Sequence, residues 1–95
     1  MRIVFDAHLH IIDPRFPLIE NQGFLPAAFT CTDYLAQVQD LDVRGGAVVS
    51  GSFQGFDQSY LIDSLQKLSG HFVGVTQLPY DTPDEEIIRL HGILR

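Results

Sequence analysis

Three short runs, RIVFDA (2–7), GAVVS (46–50) and HFVGVTQL (71–78), are β-branched or aromatic and apolar on successive residues rather than alternate ones. An alternating strand shows one face to water. A continuously apolar one is covered on both faces, as in a parallel sheet flanked by helices. Between the runs lie helical patterns with start and stop signals. DYLAQVQDL (33–41) sets Tyr34, Leu35, Val38 and Leu41 on one stripe, and Thr30 or Thr32 can cap it. QSYLIDSLQKL (58–68) repeats the pattern with Leu61, Ile62, Leu65 and Leu68, with Asp57 in front and Gly70 behind. Thr82, Pro83, Asp84 and Glu85 spell a capping box with proline at the first helical position, and Ile87, Ile88 and Leu90 follow on the apolar side. The expected helices lie near 32–42, 58–69 and 83–91, so strands and helices alternate three times. That order is an α/β pattern with a parallel sheet.

Residues 11–30 form a long first connection carrying Pro14, Pro17 and Pro26. Connections of that length are either functional or surface excursions, here with Phe16 and Phe24 as hydrophobic anchors. Three βα units leave both sheet edges open. In HGILR, Gly92 reads as a helix C-cap and Ile93–Arg95 as the first residues of a fourth strand. The sequence is thus expected to be part of a larger fold.

Composition narrows the function classes. Six Lys and Arg against twelve Asp and Glu leave a formal charge of −6, without the basic stripe of a nucleic-acid binder. One cysteine, Cys31, excludes an internal disulfide framework and fits a reducing compartment. It has no basic neighbour in sequence to activate it, so a structural role is expected. No signal-peptide pattern and no apolar run approaching a bilayer span is present. A cytoplasmic chain with neither nucleic-acid nor membrane partners is the expectation.

The residues that carry chemistry are in VFDAHLH (4–10). On a strand, residues two apart share a face, so His8 and His10 project side by side at the carboxyl end of the first run. Two neutral imidazoles there can each give a nitrogen to a divalent metal, act as a proton relay, or form a satisfied polar pair. Asp6 falls on the same alternation, where a hydrogen bond to a ligating imidazole would orient it.

DAHLHIID resembles the D-x-H-x-H signature that opens the amidohydrolase superfamily. More narrowly it is similar to the amidohydrolase-related (amidohydrolase 2) branch, which includes 2-pyrone-4,6-dicarboxylate lactonase and similar dicarboxylate or sugar lactonases. DYLAQVQDLDVRGGAVVSGSFQGFDQSYLIDSLQ resembles that family's first helix, second strand and second helix. FVGVTQLPYDTPDEEIIRLHG resembles its third strand and helix, and HGILR the approach to its fourth strand.

The resemblance implies that residues 1–95 are the N-terminal part of a truncated (β/α)8 TIM barrel, an eightfold fold of roughly 250 residues or more, with catalysis at the carboxyl rim. It implies His8 and His10 as metal ligands and catalytic residues, Ser52 near substrate, and Asp6 behind the pair. Zinc or manganese is the implied metal, with none required in the metal-independent lactonases. A further histidine, a late aspartate as general base and carboxylate-binding arginines are expected beyond Arg95. Gly55, Asp57 and Tyr60 match a Gly-x-Asp-x-x-Tyr pattern, in which Asp57 reads as the helix cap. Gly51 and Gln58 depart from the proline and asparagine common there, which leaves the subfamily open. His71 is expected to face solvent. His91 reads as a cation at a helix end, and Asp13 as part of the turn before Pro14.

The function so implied is hydrolysis of a lactone, cyclic ester or related bond, on a small-molecule substrate expected to be a carboxylated lactone. The segment alone is expected to be inactive. A decarboxylase or hydratase of the same superfamily is one alternative. Another is a non-catalytic truncated product held by self-association as a homo-oligomer. A phosphoesterase that also opens on H-x-H is disfavoured by the second-strand match.

Overall fold

The computed structural model describes residues 3–68 and 71–94. Arg2 of the first expected strand, Gly70 behind the second helix and Arg95 of HGILR lie outside the described residues. The chain runs β1 (Ile3–Leu9), α1 (Cys31–Gln37), β2 (Asp42–Val49), a single 3-10 turn (Ser52–Gln54), α2 (Ser59–Lys67), β3 (His71–Val75) and α3 (Asp84–Leu94). The strands form one parallel sheet in the order β1-β2-β3. This is the α/β alternation read from the sequence.

Local chemistry sets the helix starts. Thr30 caps α1, accepting from the Asp33 N–H at 3.3 Å while the Asp33 carboxylate takes the Thr30 N–H at 2.9 Å. Asp57 accepts the N–H groups of Ser59 and Tyr60 at the start of α2, the capping role expected of it. The capping box expected before α3 does not form. The Thr82 hydroxyl donates instead to the Pro79 carbonyl at 2.5 Å, and the Pro83 carbonyl receives Glu86 and Ile87. The reading of Ile93–Arg95 as the start of a strand is also corrected. The helix passes through Gly92 to Leu94, because Leu90 and Leu94, four residues apart, are both buried on the sheet-facing side. Ile88 lies on the solvent side.

The strands are covered on one face, not two. On the helix side Leu9 pairs with Val48 and Val48 with Gly74. A side chain at Gly74 would meet Leu61 and Leu94 at 3.1–3.2 Å, so glycine is what lets α2 and α3 close over β3. At Gly46 a Cβ would come within 2.5 Å of the Asp6 carbonyl oxygen, so β1 and β2 approach closely there. The opposite face carries Ile3, Phe5, Val73 and Val75, with Ile3 65% and Phe5 60% exposed. Continuous apolarity therefore marks a face that nothing among the described residues covers.

The long connection is anchored at Phe16, which packs on the core, whereas Phe24 is exposed and only edges against Phe53 at 6.0 Å. Asp13 does more than form a turn. Its buried carboxylate holds Arg15 through Nε and Nη2, and Arg15 reaches Asp63 of α2 at 2.8 Å. The Arg15 guanidinium holds the Asp13 carboxyl below the usual carboxylate range. The sign follows from linkage. A depressed folded pKa stabilises the fold above the unfolded carboxylate value near 3.9, and that contribution is lost as pH falls through the folded value. Urea midpoints are expected to fall on acidification from pH 5 towards pH 2, and Asp13→Asn to flatten the fall. A variant that retains the full acid dependence would remove Asp13 from this role.

Cys31 opens α1 as a buried thiol, consistent with a structural part. Among the described residues no helix is long and apolar enough to cross a membrane.

Candidate functional site

The site lies at the carboxyl ends of β1 and β2. His8 is the penultimate residue of strand β1 and His10 immediately follows the strand. Between Asp6 and Leu9, β1 advances three residues while β2 advances two, from Gly46 to Val48. This bulge inserts one residue and breaks the even alternation expected for Asp6, His8 and His10. The ring of His8, inside this stretch, and that of His10, just after it, meet edge to face, with centroids 4.8 Å apart and Nε2 atoms 3.1 Å apart.

Hydrogen bonding assigns the tautomer. His10 Nδ1 lies 2.8 Å from the Val49 carbonyl oxygen, which can only accept, so Nδ1 carries the hydrogen and Nε2 offers a lone pair. His8 then donates its Nε2–H to His10, or both lone pairs face one cation. Two ligands about 2.0–2.1 Å from a zinc lie roughly 3 Å apart, close to the separation here, and a backbone carbonyl on the second ring nitrogen is the usual support for a ligating imidazole. The donor pair therefore fits a divalent metal. Among the described residues no third histidine, cysteine or carboxylate completes a three-ligand cluster.

Asp6 faces the helices. Its carboxylate accepts the Tyr34 hydroxyl at 3.0 Å and the His8 backbone N–H at 3.4 Å, and touches neither imidazole. Burial, reinforced by Asp6, pushes the Tyr34 hydroxyl up to about 12, so the phenol keeps its proton at neutral pH. Asp6 thus ties β1 to α1 directly beneath the histidine strand.

Ser52 opens the 3-10 turn after β2 and accepts from Asn21 Nδ2 at 3.2 Å. His10 and Ser52 share a cavity of about 430 Å³, walled by Ile12, Pro26 and Phe53. The 11–30 connection covers it. Ile12 and Phe29 exchange backbone hydrogen bonds at 2.7 and 2.8 Å, and Ile19 N–H donates to Phe53 O at 2.7 Å. A turn at Asn21–Phe24, with Gln22 and Gly23 at positive φ, brings Asn21 to Ser52. His71 and His91 are exposed and outside this cavity, and His91 lies in the last turn of α3, the helix-end position expected of it. Tyr60 is a fully buried core residue whose hydroxyl is pushed up by burial.

Gln54 was not legible as a site residue. Its buried amide donates to the Ile11 carbonyl at 3.1 Å and accepts the Gly51 N–H at 2.8 Å. It clamps the segment after His10 to the segment before Ser52. No motif marks a glutamine in SFQG, because both partners are backbone groups brought close only by the fold. Gln54→Leu is expected to leave a buried donor and acceptor unpaired, costing about 1–3 kcal/mol each, and to shift the His10 ring signals in NMR. Unchanged urea midpoints and ring signals would deny Gln54 that part.

The histidine pair and the cavity lined by His10 and Ser52 thus lie together outside the carboxyl ends of parallel strands, where open α/β sheets bind their ligands. No protein-family model matches the chain. It is 30% identical over 73 residues to 4-sulfomuconolactone hydrolase of Rhizobium radiobacter, covering 75% of this chain and 24% of that protein. It is 23% identical over 79 residues to the enzyme of the same name from Hydrogenophaga intermedia, covering 81% and 26%. Its fold matches a probable 2-pyrone-4,6-dicarboxylic acid hydrolase of Acinetobacter baumannii, crystallised with citric acid, at a TM-score of 0.80 and 19% identity over 93% of this chain and 33% of that one. An apo structure from Agrobacterium tumefaciens matches at 0.78 and 18%, over 94% and 33%. The chain spans about a quarter of the length of the curated relatives. These similarities support a lactone-hydrolase-like kinship.

Proposed function

We propose that this chain forms the histidine-bearing part of a lactone hydrolase of amidohydrolase type, built on a (β/α)8 barrel and acting in the cytoplasm on a small cyclic ester. The observation that carries the reading is the 3.1 Å approach of His8 and His10 Nε2 beside Ser52 at the carboxyl rim. Sequence similarity to two sulfomuconolactone hydrolases supports the substrate class.

In this reading His8 and His10 would hold a zinc or manganese ion, which when bound polarises an ester carbonyl and acidifies a water. Val49 orients His10 by taking its Nδ1 proton. Ser52 Oγ–H orients the ester oxygen, and Ile12, Pro26 and Phe53 exclude bulk water. In a metal-independent lactonase the His8–His10 hydrogen bond would instead hold a proton at Nε2, next to the substrate carbonyl. Because the segment alone is expected to be inactive, the reading is tested by hydrolysis of unsaturated γ- and δ-lactones by a complete barrel that carries it, followed as acid release. Turnover lost in both His8→Ala and His10→Ala and kept in His71→Ala is expected. Turnover indifferent to the pair would refute it.

A second reading, self-association into a non-catalytic homo-oligomer, draws on the exposed Ile3, Phe5, Val73 and Val75 face. Sedimentation distinguishes the two. A concentration-dependent dimer that Phe5→Asp dissolves favours self-association.

A further inference from the structure

Resting on the lactone reading above, we infer that Asn21 is a positioning residue. From a strap seated on the rim turn it donates to the Ser52 hydroxyl oxygen and so leaves the hydroxyl hydrogen for an oxygen of the ligand. The strap is residues 19–24. The Ile19 N–H donates to the Phe53 carbonyl at 2.7 Å, and a Cβ at Gly55 would meet Ile19 Cδ1 at 2.6 Å, so Ile19 lies directly on the turn. Asn21 and Phe24 exchange backbone hydrogen bonds at 3.0 and 3.1 Å around Gln22 and Gly23, both at positive φ, as in a two-residue hairpin loop. Positive φ is uncommon for a glutamine and persists only where its surroundings fix it. Both ends of the hairpin meet the rim turn: Asn21 Nδ2 lies 3.2 Å from Ser52 Oγ, and the Phe24 ring edges against Phe53 at 6.0 Å.

A hydroxyl has one hydrogen and two lone pairs. The Asn21 amide N–H occupies a lone pair and cannot take the hydrogen, so the Ser52 O–H is left to donate elsewhere. Ser52 lines the cavity with His10, and among the described residues the backbone N–H groups of Ser52 and Phe53 on the same wall take no partner. The wall therefore offers hydrogens and suits an acceptor, such as the carbonyl or ring oxygen of a lactone. Accepting from Asn21 also polarises the hydroxyl and strengthens the bond it donates. With an acceptor in place of the amide N–H, Ser52 would give its hydrogen to the strap and turn lone pairs to the ligand. The group that the strap presents to Ser52 thus decides whether the hydroxyl receives an acceptor.

The test titrates 2-pyrone, which is neutral and offers only acceptors, into the isotope-labelled full chain and follows His10, Ser52 and Phe53 by NMR. Asn21→Ala is expected to weaken binding about threefold, because the hydroxyl is no longer aimed. Asn21→Asp puts an acceptor where the amide donor stood and draws the Ser52 hydrogen to itself. It is expected to cost at least about tenfold while the strap stays seated, seen as unchanged Ile19 and Phe24 amide signals. Gln22→Asp adds the same charge at the next residue and should bind like the natural chain. Both Asn21 losses should vanish in a Ser52→Ala chain. A part in holding the strap alone predicts the opposite order, since a carboxylate would grip the hydroxyl more firmly than the amide does. Natural affinity in Asn21→Asp, or losses undiminished by Ser52→Ala, overturns the inference and leaves the lactone site standing. If the carboxylate unseats the strap, the cycle of Asn21→Ala with Ser52→Ala decides in the same way. No shift at these residues up to about 10 mM 2-pyrone overturns the inference together with the lactone reading.

Discussion

Replacing His10 with alanine is expected to weaken divalent-metal binding by this chain at least about tenfold. The natural sequence should bind zinc weakly, at micromolar affinity or worse, because two imidazoles provide only part of the three or four ligands a stable site uses. His10→Ala and His8→Ala each leave one ligand and should weaken binding at least about tenfold. His71→Ala and His91→Ala, whose imidazoles are exposed and apart from the pair, should leave it unchanged. Calorimetric titration reads all four. Metal and protons compete for the same imidazole lone pairs, so zinc affinity is expected to fall on acidification. Nanomolar zinc affinity in the natural chain, untouched by His10→Ala, would move the metal elsewhere and dissolve the pair's proposed part.

The largest expected effect on stability is at Leu61. Its side chain is fully buried on α2 and lies against the bare Gly74 backbone of β3. Leu94 of α3 reaches the same glycine, so the two leucines join both helices to the sheet edge. Leu61→Ala removes that contact and leaves a cavity that a glycine strand cannot fill by moving a side chain. A loss of about 2–5 kcal/mol is expected from comparable core truncations. For a domain of this size that is a large share of the usual 5–15 kcal/mol. Urea denaturation followed by circular dichroism measures it. A loss below about 1 kcal/mol would mean that α2 does not hold β3 in solution. The exposed Leu35, at a neighbouring helical position in α1, is the control and should change little when cut to alanine.

The alternation of elements was legible because each signal is local. Short apolar runs, Thr30 before α1 and Asp57 before α2 act within a few residues, and the structure bears them out. Strand length was less legible. β2 begins at Asp42 rather than Gly46, because pairing with Ile3 extends it through polar residues that no apolar pattern marks. β3 stops at Val75 although the apolar run continues to Leu78. Helix α3 crosses Gly92 because Leu94 gains more by burial beside Leu90 than one glycine costs a helix.

The histidine pair shows the same division. Their spacing alone put two imidazoles on one strand end, since side-chain direction in a strand is a property of neighbouring residues. The relation of that pair to Asp6 was not available from spacing. A one-residue bulge between Asp6 and Leu9 turns the carboxylate to Tyr34 and lets the rings meet at Nε2. Bulges arise from pairing with another strand, here β2, and leave no mark in β1 itself. Residue types and their order determined that this is a parallel α/β chain with a histidine pair at a strand's carboxyl end. Only the tertiary structure decided that His10 is oriented by Val49, shares a cavity with Ser52 and is tied to it through Gln54. Those contacts join residues about forty positions apart, and their partners are mostly backbone groups that every sequence possesses.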